Sequence, residues 1–83
     1  MQNALDKPIV IFDQKLNRRE HIRLTLHHFE GREVVDFRMW YSSEGCVFKP
    51  SPKGVTMSLA RLPALAAAFA KAEAEARACG LLG

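Results

Sequence analysis

His21-Ile22-Arg23-Leu24-Thr25-Leu26-His27-His28-Phe29 and Arg32-Glu33-Val34-Val35-Asp36-Phe37-Arg38-Met39-Trp40-Tyr41, separated by Glu30-Gly31, decide how this chain folds. In the first run Ile22, Leu24 and Leu26 alternate with Arg23, Thr25 and His27. In the second, Val35, Phe37 and Met39 alternate with Val34, Asp36, Arg38 and Trp40. Successive side chains of a strand point to opposite faces, so a period of two means two strands with one face buried and one polar. Gly31 supplies the turn that folds the second strand back on the first.

Working outward, Pro8-Ile9-Val10-Ile11-Phe12 is rich in β-branched and aromatic residues with its proline at the start, and predicts an edge strand over residues 8–16. Asn17-Arg18-Arg19-Glu20 is a polar break. Beyond Tyr41, Ser42-Ser43-Glu44-Gly45 reads as a hairpin turn and Cys46-Val47-Phe48-Lys49 as a short strand. Pro50-Ser51-Pro52-Lys53-Gly54 then reads as a second break with Gly54 as a turn glycine, before Val55-Thr56-Met57-Ser58 alternates again. No crossover helix separates these runs, so the expected sheet over residues 21–58, with its N-terminal strand, is an antiparallel meander of four to five strands.

From residue 60 the pattern changes to helical. Leu62, Leu65, Ala66, Phe69, Ala72 and Ala76 form an apolar stripe, Pro63 fits the first turn, and Gly80-Leu81 forms a glycine cap, predicting a helix over 60–79. Strands followed by one helix make an α+β domain spanning 1–83, with the helix covering one sheet face.

At 83 residues the chain is near the lower size limit for a stable independent domain. Most of its alanines lie between Ala60 and Ala78, leaving few large side chains for a core. Two distant cysteines, Cys46 and Cys79, give neither a disulfide framework nor a zinc ribbon, and Cys79 is expected to be a small buried residue. The remaining remedy is a second copy. The small-residue helix allows close approach, so a homodimer through Leu65, Phe69, Ala72 and Ala76 is expected. No apolar run approaches the roughly 18–20 residues that span a bilayer. Met1 to Asp6 lacks the order of a signal peptide, so a cytoplasmic location, nucleoid-associated in a bacterium, is expected.

The polar face decides the function class. Arg23, Arg38 and an exposed Trp40 indole suit stacking of an unpaired base while guanidinium groups hold phosphates. The competing reading is a solvated face of Arg–Asp pairs. His27 and His28 point to opposite faces of a strand and cannot share an ion, so no metal is expected. No nucleophile–base–orienter set is present and the glycines form no phosphate-cradling loop, so neither catalysis nor a cofactor is expected. Twelve Lys and Arg against nine Asp and Glu give only +3, but Lys15 to Arg61 holds nine basic and five acidic residues.

Phe29-Glu30-Gly31-Arg32, Val34-Val35-Asp36-Phe37-Arg38-Met39-Trp40-Tyr41 and Lys49-Pro50-Ser51-Pro52-Lys53-Gly54-Val55, in this order, resemble the signature of the positive cofactor 4 (transcriptional coactivator) family over about residues 18–70. The Leu62-Pro63-Ala64-Leu65 helix start and the Gly80-Leu81-Leu82 ending are similar to its compact bacterial and phage-borne members. The resemblance implies a strongly curved sheet, dimerisation through helices and adjoining strands, and a transcription cofactor that binds single-stranded or melted DNA with little sequence preference. Phe29 and Arg32 match an aromatic and a basic contact at the first turn, Arg38 the central arginine, and Trp40-Tyr41 the aromatic pair. Lys49 and Lys53 match the basic residues flanking the proline-rich loop. Arg23 shares the face of Arg38. Glu30 and Pro52 stand where the family carries positive charge, which implies weaker binding. They also favour an alternative, a protein–protein adaptor that keeps the fold with little nucleic-acid binding. RNA and components of the transcription machinery are further possible partners.

Overall fold

In a computed structural model the structure describes residues 7–44 and 46–83. Four strands, β1 (Ile9–Asn17), β2 (Glu20–Phe29), β3 (Arg32–Tyr41) and β4 (Lys49–Ser58), form one antiparallel sheet in the order β1-β2-β3-β4. A 3₁₀ turn (Leu59–Arg61) leads into α1 (Leu62–Ala78).

The β2–β3 pairing runs without interruption from Glu20↔Tyr41 to Phe29↔Arg32, as the alternation of the two runs requires. Its hairpin turns on Glu30 and Gly31, with φ of 50° and 81°. Positive φ at both central residues suits the right-handed twist of the flanking strands. Glycine takes that conformation freely, whereas Glu30 is held there against its Cβ. Arg18-Arg19 closes the β1–β2 hairpin, where the Asn17 side chain accepts from the Arg19 amide (2.9 Å) and donates to Glu20 (2.9 Å).

The C-terminal strand differs from its expected course. Lys49–Ser58 is one strand, not a short strand, a proline-rich break and another strand. Pro50 and Pro52 are tolerated because β4 lies at the sheet edge, with one neighbour only, and Pro52 falls in a bulge. A bulge opposite the Arg38–Trp40 interval absorbs the irregularity. Gly54 is therefore not a turn residue; it lies inside β4, directly opposite Arg38. Ser42, Ser43 and Glu44 do leave the strand after Tyr41, and Gly45 of the expected turn lies outside the described residues, as do residues 1–6.

The helix starts two residues later than expected because Leu59–Arg61 is a 3₁₀ turn, capped by the Ser58 hydroxyl, which accepts from the Ala60 amide. At its end Gly80 takes φ 75°, Gly80 N–H donates to Arg77 O and Leu81 N–H to Ala76 O, a Schellman closure. Within the single chain the helix does not cover the sheet. None of its residues is buried, Cys79 is exposed, and only its first turns border the apolar face. There Phe69 meets Phe37 edge-on at 6.3 Å between ring centres.

Leu24, Val35, Phe37, Val55, Met57 and Leu65 line the resulting apolar groove, about 390 Å³ in volume. Val34 and Val35 are the buried apolar residues among those described, and Phe69 remains 63% exposed. The radius of gyration, 15.1 Å, exceeds the roughly 12 Å expected of a compact chain of this length. One chain thus builds an open sheet with an almost bare apolar side.

Candidate nucleic-acid interface

The other side of the sheet forms a cleft of about 580 Å³. Register brings its side chains together. Arg23 faces Arg38 across β2–β3, Thr25 faces Asp36, His21 faces Trp40, and Phe29 faces Arg32. Like charges directly opposite each other repel. Here each guanidinium has its own carboxylate.

Arg38 is held from three sides. Its Nε donates to both Asp36 oxygens (2.8 and 2.9 Å), Nη1 to the Ser51 carbonyl (2.8 Å), and Nη2 to the Thr56 hydroxyl (2.8 Å). Thr56 in turn donates to Asp36 at 2.6 Å. Asp36 is buried, so this network pins β3 to β4 and fixes Arg38 at the cleft floor.

Arg23 is held differently. Its Nε and Nη2 donate to Asp13 Oδ2 at 3.0 and 2.9 Å, and its guanidinium carbon lies 4.1 Å from the centre of the Trp40 ring. The Trp40 indole is consequently half-buried beneath a cation rather than exposed as the sequence suggested. Such a cation–π contact contributes about 0.5–1 kcal/mol near a surface. The Trp40 Nε1–H and the Thr25 hydroxyl are buried without a hydrogen-bond partner among the described residues.

His21 Nδ1–H donates to Asp13 Oδ1 at 2.8 Å while its ring leans on Phe48, 4.3 Å between centres. The Asp13 carboxyl is held below the ordinary aspartate range, chiefly by the hydrogen bond from His21. Arg23, through its charge and its hydrogen bonds, lowers it further against partial desolvation. A carboxylate lowered on folding adds stability that is complete above its unfolded value, ~3.9, and is lost as pH falls through the folded one. Urea midpoints measured from pH 6 down to pH 3 should therefore drop more steeply for the native sequence than for Asp13→Asn. Parallel curves would show that the carboxylate contributes nothing.

Of the residues singled out by sequence, Arg23, Phe29, Arg38 and Trp40 line the cleft, and Arg32 borders it opposite Phe29. Phe29 is exposed and stands edge-on to His27, 6.2 Å between ring centres. Tyr41 and Lys49 pair with each other across β3–β4, both exposed. Tyr41 follows Trp40 on a regular strand and so points to the opposite side of the sheet. Lys53 is exposed at the β4 bulge, its amide donating to the Ser51 hydroxyl at 3.1 Å. On the helix, Leu65 is half-buried while Phe69 and Ala72 are exposed and Ala76 is half-buried.

Asp13, His21, Ser51 and Thr56 are the cleft partners that sequence reasoning missed. Thr56 and Asp36 occupy matching phases of their strands, which is a readable signal. Asp13 gives none, because a bulge between Val10 and Phe12 changes the phase of β1. Among the described residues no three His, Cys, Asp or Glu side chains group as a metal site, and no helix is long and apolar enough to cross a membrane.

The family described as Transcriptional Coactivator p15 (PC4) matches residues 16–68 of this chain, from the end of β1 into α1. Among solved structures, the fold is similar to the crystal structure of a PC4 homolog from Burkholderia pseudomallei. That likeness has a TM-score of 0.68 and 24% identity, and covers 86% of this chain and 96% of the other. No curated protein shows significant sequence similarity. The family is a non-enzymatic, nucleic-acid-binding one, and the sheet–helix order and the span of the match lead to one assignment. The chain belongs to the transcriptional coactivator p15 (PC4) family of DNA-binding regulators.

Proposed function

We propose that this protein binds single-stranded or melted DNA along its cleft face, as a homodimer, and acts as a transcription cofactor. The observation that carries this reading is that the Arg23–Trp40 pair lines one cleft with the His27–Phe29 pair further along the open sheet: cationic and aromatic surface on one face. Bases of any sequence can stack on such a surface, while Arg32 and Lys53, exposed and drawn into no ion pair among the described residues, are available to phosphates, with Lys49 and Tyr41 reached round the sheet edge. Cytoplasmic location near the nucleoid accords with this role.

Dimerisation is supported by the bare apolar side. Phe69 and the Phe37–Val55–Met57 groove leave water only if a second chain supplies the cover. Leu65 and Phe69 border that groove and Ala72 and Ala76 continue the same helix stripe, so these four are the proposed contacts. A small domain with so little buried apolar surface gains most from such a partner.

The test is a titration with oligo-dT, read by fluorescence of Trp40, the only tryptophan. Binding at micromolar concentrations or tighter is expected. It should weaken with salt by a log–log slope of about −0.7 per phosphate contact. Trp40→Ala, which lacks that fluorophore and is followed instead by fluorescence anisotropy of end-labelled oligo-dT, should cost about 1–3 kcal/mol of binding. The same samples should sediment at twice the mass of the 9.3 kDa chain. Absence of binding at low salt would refute the reading.

One observation favours a second reading. Asp13 and Asp36 already neutralise the two central arginines, and Glu30 adds negative charge at the cleft's end. A protein–protein adaptor on the same fold would show this. It would recover protein partners, such as components of the transcription machinery, in a pull-down that added DNA or RNA does not alter.

A further inference from the structure

We propose that Asp13 acts as an internal substitute for a nucleic-acid phosphate, occupying Arg23 and keeping it over Trp40 until a strand displaces it. This rests on the single-strand reading above and deepens it. The two arginines that meet across β2–β3 are engaged in different ways, and the difference is informative. Arg38 is bound by the buried Asp36 of β3 and by Ser51 and Thr56 of β4, so a ligand cannot take all its N–H groups without breaking the tie between the two strands. Arg23 is bound by one carboxylate whose side chain is 33% exposed, on an edge strand whose every residue is exposed.

Asp13 and a phosphate offer the same chemistry to a guanidinium: paired anionic oxygens accepting from Nε and Nη. Both Nε and Nη2 of Arg23 go to one oxygen, Oδ2, while Oδ1 is taken by His21. Asp13 is thus steadied by a group other than Arg23, and remains tied to β2 through His21 when Arg23 moves. Displacement also clears the indole. Arg23 lies on the Trp40 ring at 4.1 Å, the position a stacked base would need, so phosphate capture by Arg23 and base stacking on Trp40 are coupled. Asp13 is then a positioning residue. It lowers affinity and sets a threshold against weak anionic ligands.

The experiment compares the native chain, Asp13→Asn and Asp13→Ala in oligo-dT titrations at low salt, each with and without Arg23→Ala. Asn keeps the side-chain volume and one acceptor; Ala leaves nothing to hold Arg23. Both should bind more tightly than the native chain, by about two- to fivefold, the worth of a part-exposed ion pair. Trp40 in the free Asp13 variants should also become more accessible to acrylamide quenching.

In the Arg23→Ala background the gain should vanish. A gain that survives there would be generic charge removal and would overturn the proposal. So would unchanged or weaker binding by both Asp13 variants. If the native chain fails to bind while the Asp13 variants bind, the substitution by Asp13 stands and the single-strand reading of the native chain falls. If none binds, both fall.

Discussion

Asp36→Ala should destabilise the protein by about 3 kcal/mol, measured by urea denaturation at neutral pH. The Asp36 side chain is 8% exposed and accepts from Arg38 Nε through both oxygens and from the Thr56 hydroxyl. Removing one partner of a buried pair strands the other, and such losses run to roughly 3–5 kcal/mol. The lower end applies because the Arg38 side chain is 19% exposed and keeps its bonds to Ser51 and Thr56. Asp36→Asn should cost less, since an amide oxygen still accepts one of these bonds. Equal losses for the two variants would mean that the charge lost in both, not the packing and neutral hydrogen bond that Asn keeps, holds β3 to β4.

Gly54→Ala should have a comparable effect, about 3 kcal/mol, the upper end for overpacking and a large share of the stability of a domain this small. A Cβ at this position would overlap the Cβ and Cα of Arg38 and come within 2.6 Å of the Phe37 carbonyl oxygen. Two of these obstacles are backbone, so no rotamer change relieves them and β3 and β4 must separate locally. The same missing side chain leaves room for Arg38 to reach across β4 to Ser51 and Thr56. Loss of cooperative thermal unfolding in Gly54→Ala, with Gly31→Ala milder, is the expected pattern. In Gly31→Ala nothing obstructs the new atom and only the φ of 81° resists it. A Gly54→Ala protein as stable as the native one would show that β4 does not approach β3 as described.

The effects of Asp36 and Gly54 converge on Arg38. The motif arginine serves first as a structural tie between strands. Its substitution would therefore lower stability and binding together, whereas changes at Arg32, Lys49 or Lys53, all exposed, separate the two. Trp40 is a better reporter than Arg38 for the same reason: its contact with Arg23 lies on the surface side of the sheet.

The sequence by itself determined the β2–β3 hairpin, the order of elements, the polarity of the two faces and the capped helix. These follow from local periodicity and from residues such as Gly31, Pro63 and Gly80, whose conformational limits act within a few positions. It also brought Arg23, Phe29, Arg38 and Trp40 to one face, because an unbroken register preserves phase from one strand to the next.

Only the tertiary structure decided which of those residues are already engaged. A bulge at Ile11 carries Asp13 onto the face of Val10 and opposite Arg23; strict alternation would have turned it away. Likewise, the continuous β4 exists because β3 pairs with it from Tyr41↔Lys49 to Val34↔Ser58, overriding two prolines and a glycine that locally signal a break. Pairing energy between strands is non-local, and a one-residue bulge leaves almost no trace in composition. The faces were therefore legible in the sequence, while the carboxylate seated on Arg23 was not.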